Sequence, residues 1–287
     1  MPELPEVEHV RQSLSVLLQG QVVEKVEVRL ARIVRRPSVS DFCERLAGQR
    51  VENIGRRGKY LLIEWESGDV LVSHLRMEGR YGIAAAGEPL EPHTHVIFYL
   101  QSGQELRYRD VRQFGTMDLL KLDELHLLPG LFTLGKEPLD EGFDAHYLQR
   151  AIGSRKAPIK AVLLDQKVIA GLGNIYVDEA LFRAGVHPER VASRLKKAER
   201  ARLVQAIREV IGEAVAAGGS SVKSYVNGFG EPGRFQSSLQ VYGRQGLACV
   251  SCGEPIIKGR VAGRGTHVCL RCQPAPRGAV IGKGSKA

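Results

Sequence analysis

The chain has 287 residues, 43% hydrophobic and 25% charged, which excludes wholesale disorder and gives enough length for two domains that need no disulfide scaffold. Mean hydropathy is −0.15, and no run of about 18 apolar residues occurs, so no membrane-spanning helix is expected. The net charge of +9 is uneven: residues 1–150 carry 19 basic and 23 acidic side chains, and residues 151–287 carry 22 and 9. That asymmetry points the second half toward a polyanion, nucleic acid first, against the plainer reading of a soluble basic surface. The acidic start has no apolar h-region, so the protein reads as cytoplasmic.

In chain order, Val7, Val10, Leu14 and Leu17 recur at helical spacing, and Gly20 ends the helix. Residues 22–34 are rich in branched side chains. Residues 60–65 and 70–72 flank Ser67-Gly68-Asp69, and residues 96–100 and 106–108 flank Ser102-Gly103. Both read as hairpins, so residues 20–120 suggest a β-sandwich or barrel. Four helices follow, near residues 147–152, 159–164, 176–182 and 197–217. The last carries Ala201, Val204, Ile207, Val210 and Ile211 on one stripe, read as core packing. Between helices, Ala170-Gly171-Leu172-Gly173-Asn174 allows close backbone approach and opens a helix whose free N–H groups suit a phosphate. Residues 218–238 are rich in Gly and Ser and read as a long mobile loop.

Five cysteines are present. Cys249, Cys252, Cys269 and Cys272 form C-x2-C-x16-C-x2-C, the pattern of a four-thiolate zinc site; two redox dithiols are the alternative. A closed four-sulfur site makes such a zinc structural. Val268 and Ile256-Ile257 suggest short strands between the knuckles. Cys43, beside Phe42 and Leu46, reads as a buried thiol without a role. At the N-terminus, removal of Met1 exposes Pro2 as a secondary amine. An α-amino group titrates at roughly 7.7–8.0, lower at a helix N-terminus, so a neutral fraction can attack carbon and form an imine. Glu3 and Glu6 stand beside it for proton transfer, although Pro and Glu at a helix start are also favoured for purely structural reasons.

Met1-Pro2-Glu3-Leu4-Pro5-Glu6-Val7-Glu8, the segment 170–176 and the four-cysteine finger, in that order, resemble the formamidopyrimidine-DNA glycosylase family from residue 2 to about 273. The resemblance implies an α+β fold: an N-terminal helix plus β-sandwich domain (1–135), a linker (136–143), and a helix–two-turn–helix domain with a lesion-capping loop (144–238). A zinc-finger hairpin (239–273) and a disordered tail (274–287) complete it, with double-stranded DNA held between the halves. It implies excision of 8-oxoguanine and formamidopyrimidines through a Schiff base of Pro2 at C1′, then β,δ-elimination, by a bacterial monomer acting in the cytoplasm on nucleoid DNA. Catalysis would rest on Pro2, Glu3, Lys59 and Arg264, with DNA contacts at Glu6, His74, Met77, His93, Arg112, Phe114 and Asn174, and one Zn2+ on the four cysteines. Met77, Arg112 and Phe114 would fill the gap left by the everted base, and Arg264 would hold the flanking phosphate. Base contacts fall in the window 220–225. Gln113 departs from the basic residue many relatives carry, putting one phosphate contact in doubt. Two alternatives stand beside this reading. One is an endonuclease VIII-type enzyme for oxidised pyrimidines, disfavoured by Leu4-Pro5 and the Arg112/Phe114 pair. The other is a non-catalytic zinc DNA-binding protein.

Overall fold

Leu4, Val7, Val10, Leu14 and Leu18 fall on one stripe and form the buried face of α1 (Leu4–Leu18), which ends before Gly20 at φ +81°. The structure, a computed structural model, describes residues 1–221 and 225–281. Two units are distinguished, Met1–Phe132 with Ala217–Gln236, and Thr133–Ala216 with Ser237–Ala287.

In the first unit α1 is followed by β1 (Val23–Val28), β2 (Val34–Arg36) and α2 (Val39–Leu46). Seven strands come next: β3 (Val51–Arg57), β4 (Tyr60–Trp65), β5 (Asp69–His74), β6 (Arg80–Ala85), β7 (Thr94–Leu100), β8 (Gln104–Arg109) and β9 (Thr116–Lys121). With β1 and β2 they form a five-stranded sheet ordered β2-β9-β5-β4-β3 and a four-stranded sheet ordered β1-β7-β8-β6. Leu61, Ile63 and Trp65 alternate along β4 and join Phe98, Leu106 and Tyr108 of the other sheet in one apolar core with α1. Each such side chain, fully buried, contributes about 1.5–3 kcal/mol. Helix α2 lies where only strands were expected. Its signal is local: Ser38 Oγ accepts the Asp41 N–H at 3.1 Å, and Val39, Phe42, Cys43 and Leu46 recur at helical spacing. Cys43 is half-buried at the edge of the core.

The first unit's strand region closes with α3 (Pro129–Phe132). The second unit comprises α4 (Ala145–Ile152), α5 (Ile159–Leu164), α6 (Asn174–Arg183), α7 (Lys197–Ala216) and a hairpin of β10 (Ile257–Val261) and β11 (Arg264–Val268). Asp144 caps α4 through the Tyr147 N–H at 2.6 Å. Leu203, Ile207, Val210, Ile211 and Ala214 are the buried stripe of α7. The hairpin turns on Ala262 and Gly263, both at positive φ (49° and 74°), as a two-residue connection between twisted strands requires. Among the described residues no helix is long and apolar enough to cross a membrane.

Two segments differ from the sequence reading. The sequence suggests a mobile loop of the helical domain at residues 218–238, yet Ala217–Gln236 groups with the first unit. Backbone N–H groups of Ser220 and Gly228 donate to the Glu6 and Ser13 side chains of α1, at 2.7 and 2.8 Å. The sequence suggests a disordered tail over 274–287, yet up to Ile281 it packs on the hairpin. Ile281 joins Val261 and Val268 in a small core, and Glu189 accepts the N–H groups of Val280 and Ile281 at 3.0 and 2.9 Å. Gly259 makes room for it, since a Cβ there would lie 2.5 Å from Ile281 Cγ1. Residues 282–287 lie outside the described residues.

Candidate active site and nucleic-acid contacts

The N-terminal turn is fixed by one carboxylate. Pro2, Glu3 and Glu6 are all buried. Glu6 Oε2 accepts the Glu3 N–H at 2.7 Å and Glu6 Oε1 accepts the Ser220 N–H at 2.7 Å. Both are short charge-assisted bonds, so the backbone around Pro2 has little freedom. Gly219, at φ +79°, lies against this carboxylate; a Cβ there would be 2.8 Å from Glu6 Oε1. The Ser220 hydroxyl oxygen is buried with no hydrogen-bond partner among the described residues. Val222, Lys223 and Ser224, in the expected base-reading window, lie outside the described residues.

Lys59 sits, 6% exposed, in the turn between β3 and β4, after Gly58 at φ +58°. The register Tyr60↔His74 brings it beside His74. Burial drives the His74 imidazole down to about 3, and the charges of Arg76, Lys59 and Arg35 add to the effect. Its Nδ1 accepts the Arg76 N–H at 2.9 Å, which leaves the proton on Nε2. His74 is therefore a neutral donor, oriented by the edge of Tyr60 at 4.7 Å between ring centroids.

Met77 and Phe114 are exposed, and Arg112 stacks over the Phe114 ring at 5.0 Å. The loop carrying the pair is shaped by Asp110, which is fully buried and accepts the Arg112 N–H at 3.1 Å and the Gly115 N–H at 2.7 Å. The Tyr108 hydroxyl stands between Gly79 and Gly115; added Cβ atoms would lie 2.3 and 1.7 Å from it. Those two glycines bring the Met77 turn and the Phe114 loop to the same tyrosine. His93, exposed at φ +66°, accepts the Asp110 N–H through its carbonyl, so it borders the same loop. Gln113 contacts Arg32.

In the second unit, Asn174 opens α6 after Gly173, with no side chain capping the helix. Its Nδ2 donates to the Gly265 carbonyl at 2.9 Å, and Lys160 Nζ donates to the same oxygen at 2.9 Å. Lys160 also pairs with Asp178 at 2.6 Å, both fully buried, and Asp178 Oδ2 accepts the His267 N–H at 2.9 Å. Helices α5 and α6 thus grip β11 on either side of Gly265, immediately after the exposed Arg264. The neighbouring Glu179, also buried, accepts three N–H groups from Gln240, Val241 and Tyr242 at 2.8–3.0 Å. Lys160, Asp178 and Glu179 were not singled out from the sequence. The available signal was charge on otherwise apolar faces of α5 and α6, where a buried ion needs a partner.

The four cysteine sulfurs lie within 4.8 Å of one another, and none is in a disulfide. Cys249 and Cys272 are 3.8 Å apart and Cys252 and Cys269 3.4 Å. A tetrahedron with Zn–S bonds of about 2.3 Å has edges near 3.8 Å, so the cluster fits zinc. Phe182, Val241 and Ile256 pack against the cluster, and four thiolates fill the tetrahedral shell of a structural zinc.

Three family models match in chain order: the formamidopyrimidine-DNA glycosylase N-terminal domain at residues 1–117, its H2TH domain at 134–226, and the zinc finger found in FPG and IleRS at 246–275. The formamidopyrimidine-DNA glycosylase of Brevibacillus brevis is 53% identical over 274 residues, covering 95% of this chain and 99% of that one. The fold is similar to Lactococcus lactis Fpg in complex with abasic-site DNA, with TM-score 0.89, 40% identity, and coverage of 95% of this chain and 100% of that one. A mutant of that protein bound to Fapy-dG-containing DNA gives TM-score 0.90 and 40% identity over 96% of this chain and 100% of that one. With its N-terminal, helix–two-turn–helix and zinc-finger segments matched in order and half its residues identical over nearly the whole length, the chain belongs to the formamidopyrimidine-DNA glycosylase family.

Proposed function

We propose that this chain excises 8-oxoguanine and formamidopyrimidines from duplex DNA and then cuts the strand, with Pro2 as nucleophile. The family supplies the activity, a DNA glycosylase of base excision repair with associated lyase chemistry, and a structural zinc. Once Met1 is removed, the Pro2 amine attacks C1′, the damaged base leaves, and an imine joins enzyme to sugar. Glu3 moves protons as the sugar opens and as the 3′ and then the 5′ phosphate is eliminated. Glu6 holds both from behind. This reading rests on the buried Pro2–Glu3 turn, clamped by the Glu6 carboxylate.

Lys59 and a neutral His74 of the first unit contact backbone phosphate, as do Asn174 and Arg264 of the second. Met77 and Phe114 wedge into the stack, Arg112 pairs with the orphaned cytosine, and His93 borders the strand. The segment 218–236 covers the everted base, with the unpartnered Ser220 hydroxyl as one contact. The zinc site's chemistry is structural; it keeps the hairpin of Arg264 in shape. The enzyme works as one chain in the bacterial cytoplasm, on nucleoid DNA.

Borohydride trapping on a duplex with 8-oxoguanine opposite cytosine tests this reading. Wild type should give an adduct mapping to Pro2, and Pro2→Gly and Glu3→Gln should lose it. No adduct from protein with a free Pro2 and intact binding would leave a lesion-binding protein. Faster cleavage of thymine glycol than of 8-oxoguanine would make it an oxidised-pyrimidine enzyme.

A further inference from the structure

Helix α1 has a second stripe besides its apolar one. Glu6, His9 and Ser13 follow at i, i+3 and i+7, and the glycine-rich segment lies along them. A Cβ on Gly218 would be 2.8 Å from the His9 ring, one on Gly219 2.8 Å from Glu6, and one on Gly228 2.9 Å from Ser13 Oγ. Glu6 and Ser13 each accept one backbone N–H from the segment. His9 does something different, because it joins two side chains of the segment: Nδ1 lies 3.1 Å from the Tyr225 hydroxyl and Nε2 lies 3.1 Å from Asn227 Nδ2.

The proton positions follow from the partners. Asn227 Oδ1 accepts the N–H groups of Phe229 and Glu231, both at 2.9 Å, so the amide's NH2 must face His9 and Glu231. Nε2 is then the acceptor, and the proton is on Nδ1, donated to Tyr225. The Tyr225 hydroxyl in turn donates to the Glu6 carbonyl at 2.8 Å. Every donor in the relay Asn227–His9–Tyr225–Glu6 has an acceptor, but only while the imidazole is neutral. A proton on Nε2 would face the Asn227 NH2, which cannot turn without abandoning two backbone N–H groups.

We infer that His9 is a positioning residue that fixes residues 225–231 on the catalytic helix through Tyr225 and Asn227, and that it does so only as the neutral Nδ1–H imidazole. This rests on the reading that the segment covers the excised base. The groups facing the ring are Tyr225, Glu231 and the Gly218 backbone from the segment and, through Tyr225, Glu6 on α1. Burial lowers the imidazole below its ordinary value of about 6.5, while Glu231 and the Gly218 carbonyl pull upward. With the docked form less basic than the undocked form, docking is complete above about pH 6.5 and weakens as pH falls below it.

The test is amide hydrogen exchange at Ser220 and Gly228 in the full chain between about pH 8 and pH 5, corrected for the intrinsic rate. Wild type should lose protection toward acid. His9→Gln, which keeps a donor and an acceptor but does not titrate, should hold protection across the range. His9→Phe should be less protected at every pH, by about two- to tenfold per lost bond. Tyr225→Phe, a change outside α1, should also weaken protection. Protection in wild type that ignores pH, or that survives in His9→Phe, would overturn the inference. Excision of 8-oxoguanine and cleavage of an abasic duplex are measured alongside. Loss of both protection and base excision, with abasic cleavage kept, supports the whole reading. Loss of protection with excision unchanged supports the His9 joint and overturns the base-covering role of the segment.

Discussion

The two units hold their functional groups by different physics. In the first, buried carboxylates accept backbone N–H groups: Glu6 fixes the Pro2 turn, and Asp110 fixes the loop of Arg112 and Phe114. Even His74, set among cations, is kept neutral. In the second, a fully buried Lys160–Asp178 pair and a four-thiolate cluster hold the hairpin of Arg264, which remains exposed and charged. Hydrogen bonds to backbone give local precision. An ion pair and a metal concentrate the hold in a few charged groups, and they fail more abruptly when one member is lost.

The largest way to break this contrast is zinc removal. Structural zinc contributes about 10–16 kcal/mol in isolated fingers. Chelation, or Cys269→Ser, should abolish tight DNA binding while the first unit's unfolding transition, followed by Trp65 fluorescence, stays in place. Next, Lys160→Met leaves Asp178 charged and buried and should cost about 3–5 kcal/mol in denaturant unfolding of the second unit. The pair Lys160→Met with Asp178→Leu should recover most of that stability but not DNA affinity, since Gly265 then loses a donor. Asp110→Ala strands two N–H groups and should cost about 1–3 kcal/mol, with weaker binding to lesion duplexes. Truncation after Arg277 removes the Ile281 contact and should destabilise the hairpin by about 1.5–3 kcal/mol, read as faster zinc loss to a chelator. The smallest effect sharpens the comparison most. Arg264→Ala should reduce the slope of log affinity against log salt by about one, whereas His74→Gln should leave it unchanged. The neutral His74 should also impose no break in binding between about pH 5 and pH 8, because its titration lies near 3.

Much of the architecture was legible. The hairpins at residues 60–72 and 96–108 and the helices of the second unit follow from periodicity and turn residues, which act within a few positions. The cysteine spacing is equally local. Helix α2 was overlooked within a strand-rich stretch, although Ser38 and the spacing of Phe42 and Leu46 announce it. The tail was misread because composition registers its glycines but not that Ile281 fits over Gly259. Of the site, the resemblance supplied Pro2, Glu3, Lys59, His74 and Arg264. It did not supply Lys160, Asp178 or His9, whose meaning depends on partners up to more than two hundred positions away.

By itself, then, the sequence determined which elements form, that four thiolates can close on zinc, and that the second half is strongly basic, because each follows from short-range pattern or summed charge. Only the tertiary structure decided which groups are charged and which are held. Burial beside Arg76 and Lys59 makes His74 a neutral donor, the amide of Asn227 fixes the tautomer of His9, and one carbonyl at Gly265 draws Lys160 and Asn174 to the base of Arg264. Proton position and orientation depend on dielectric and partners, and those exist only once distant segments meet.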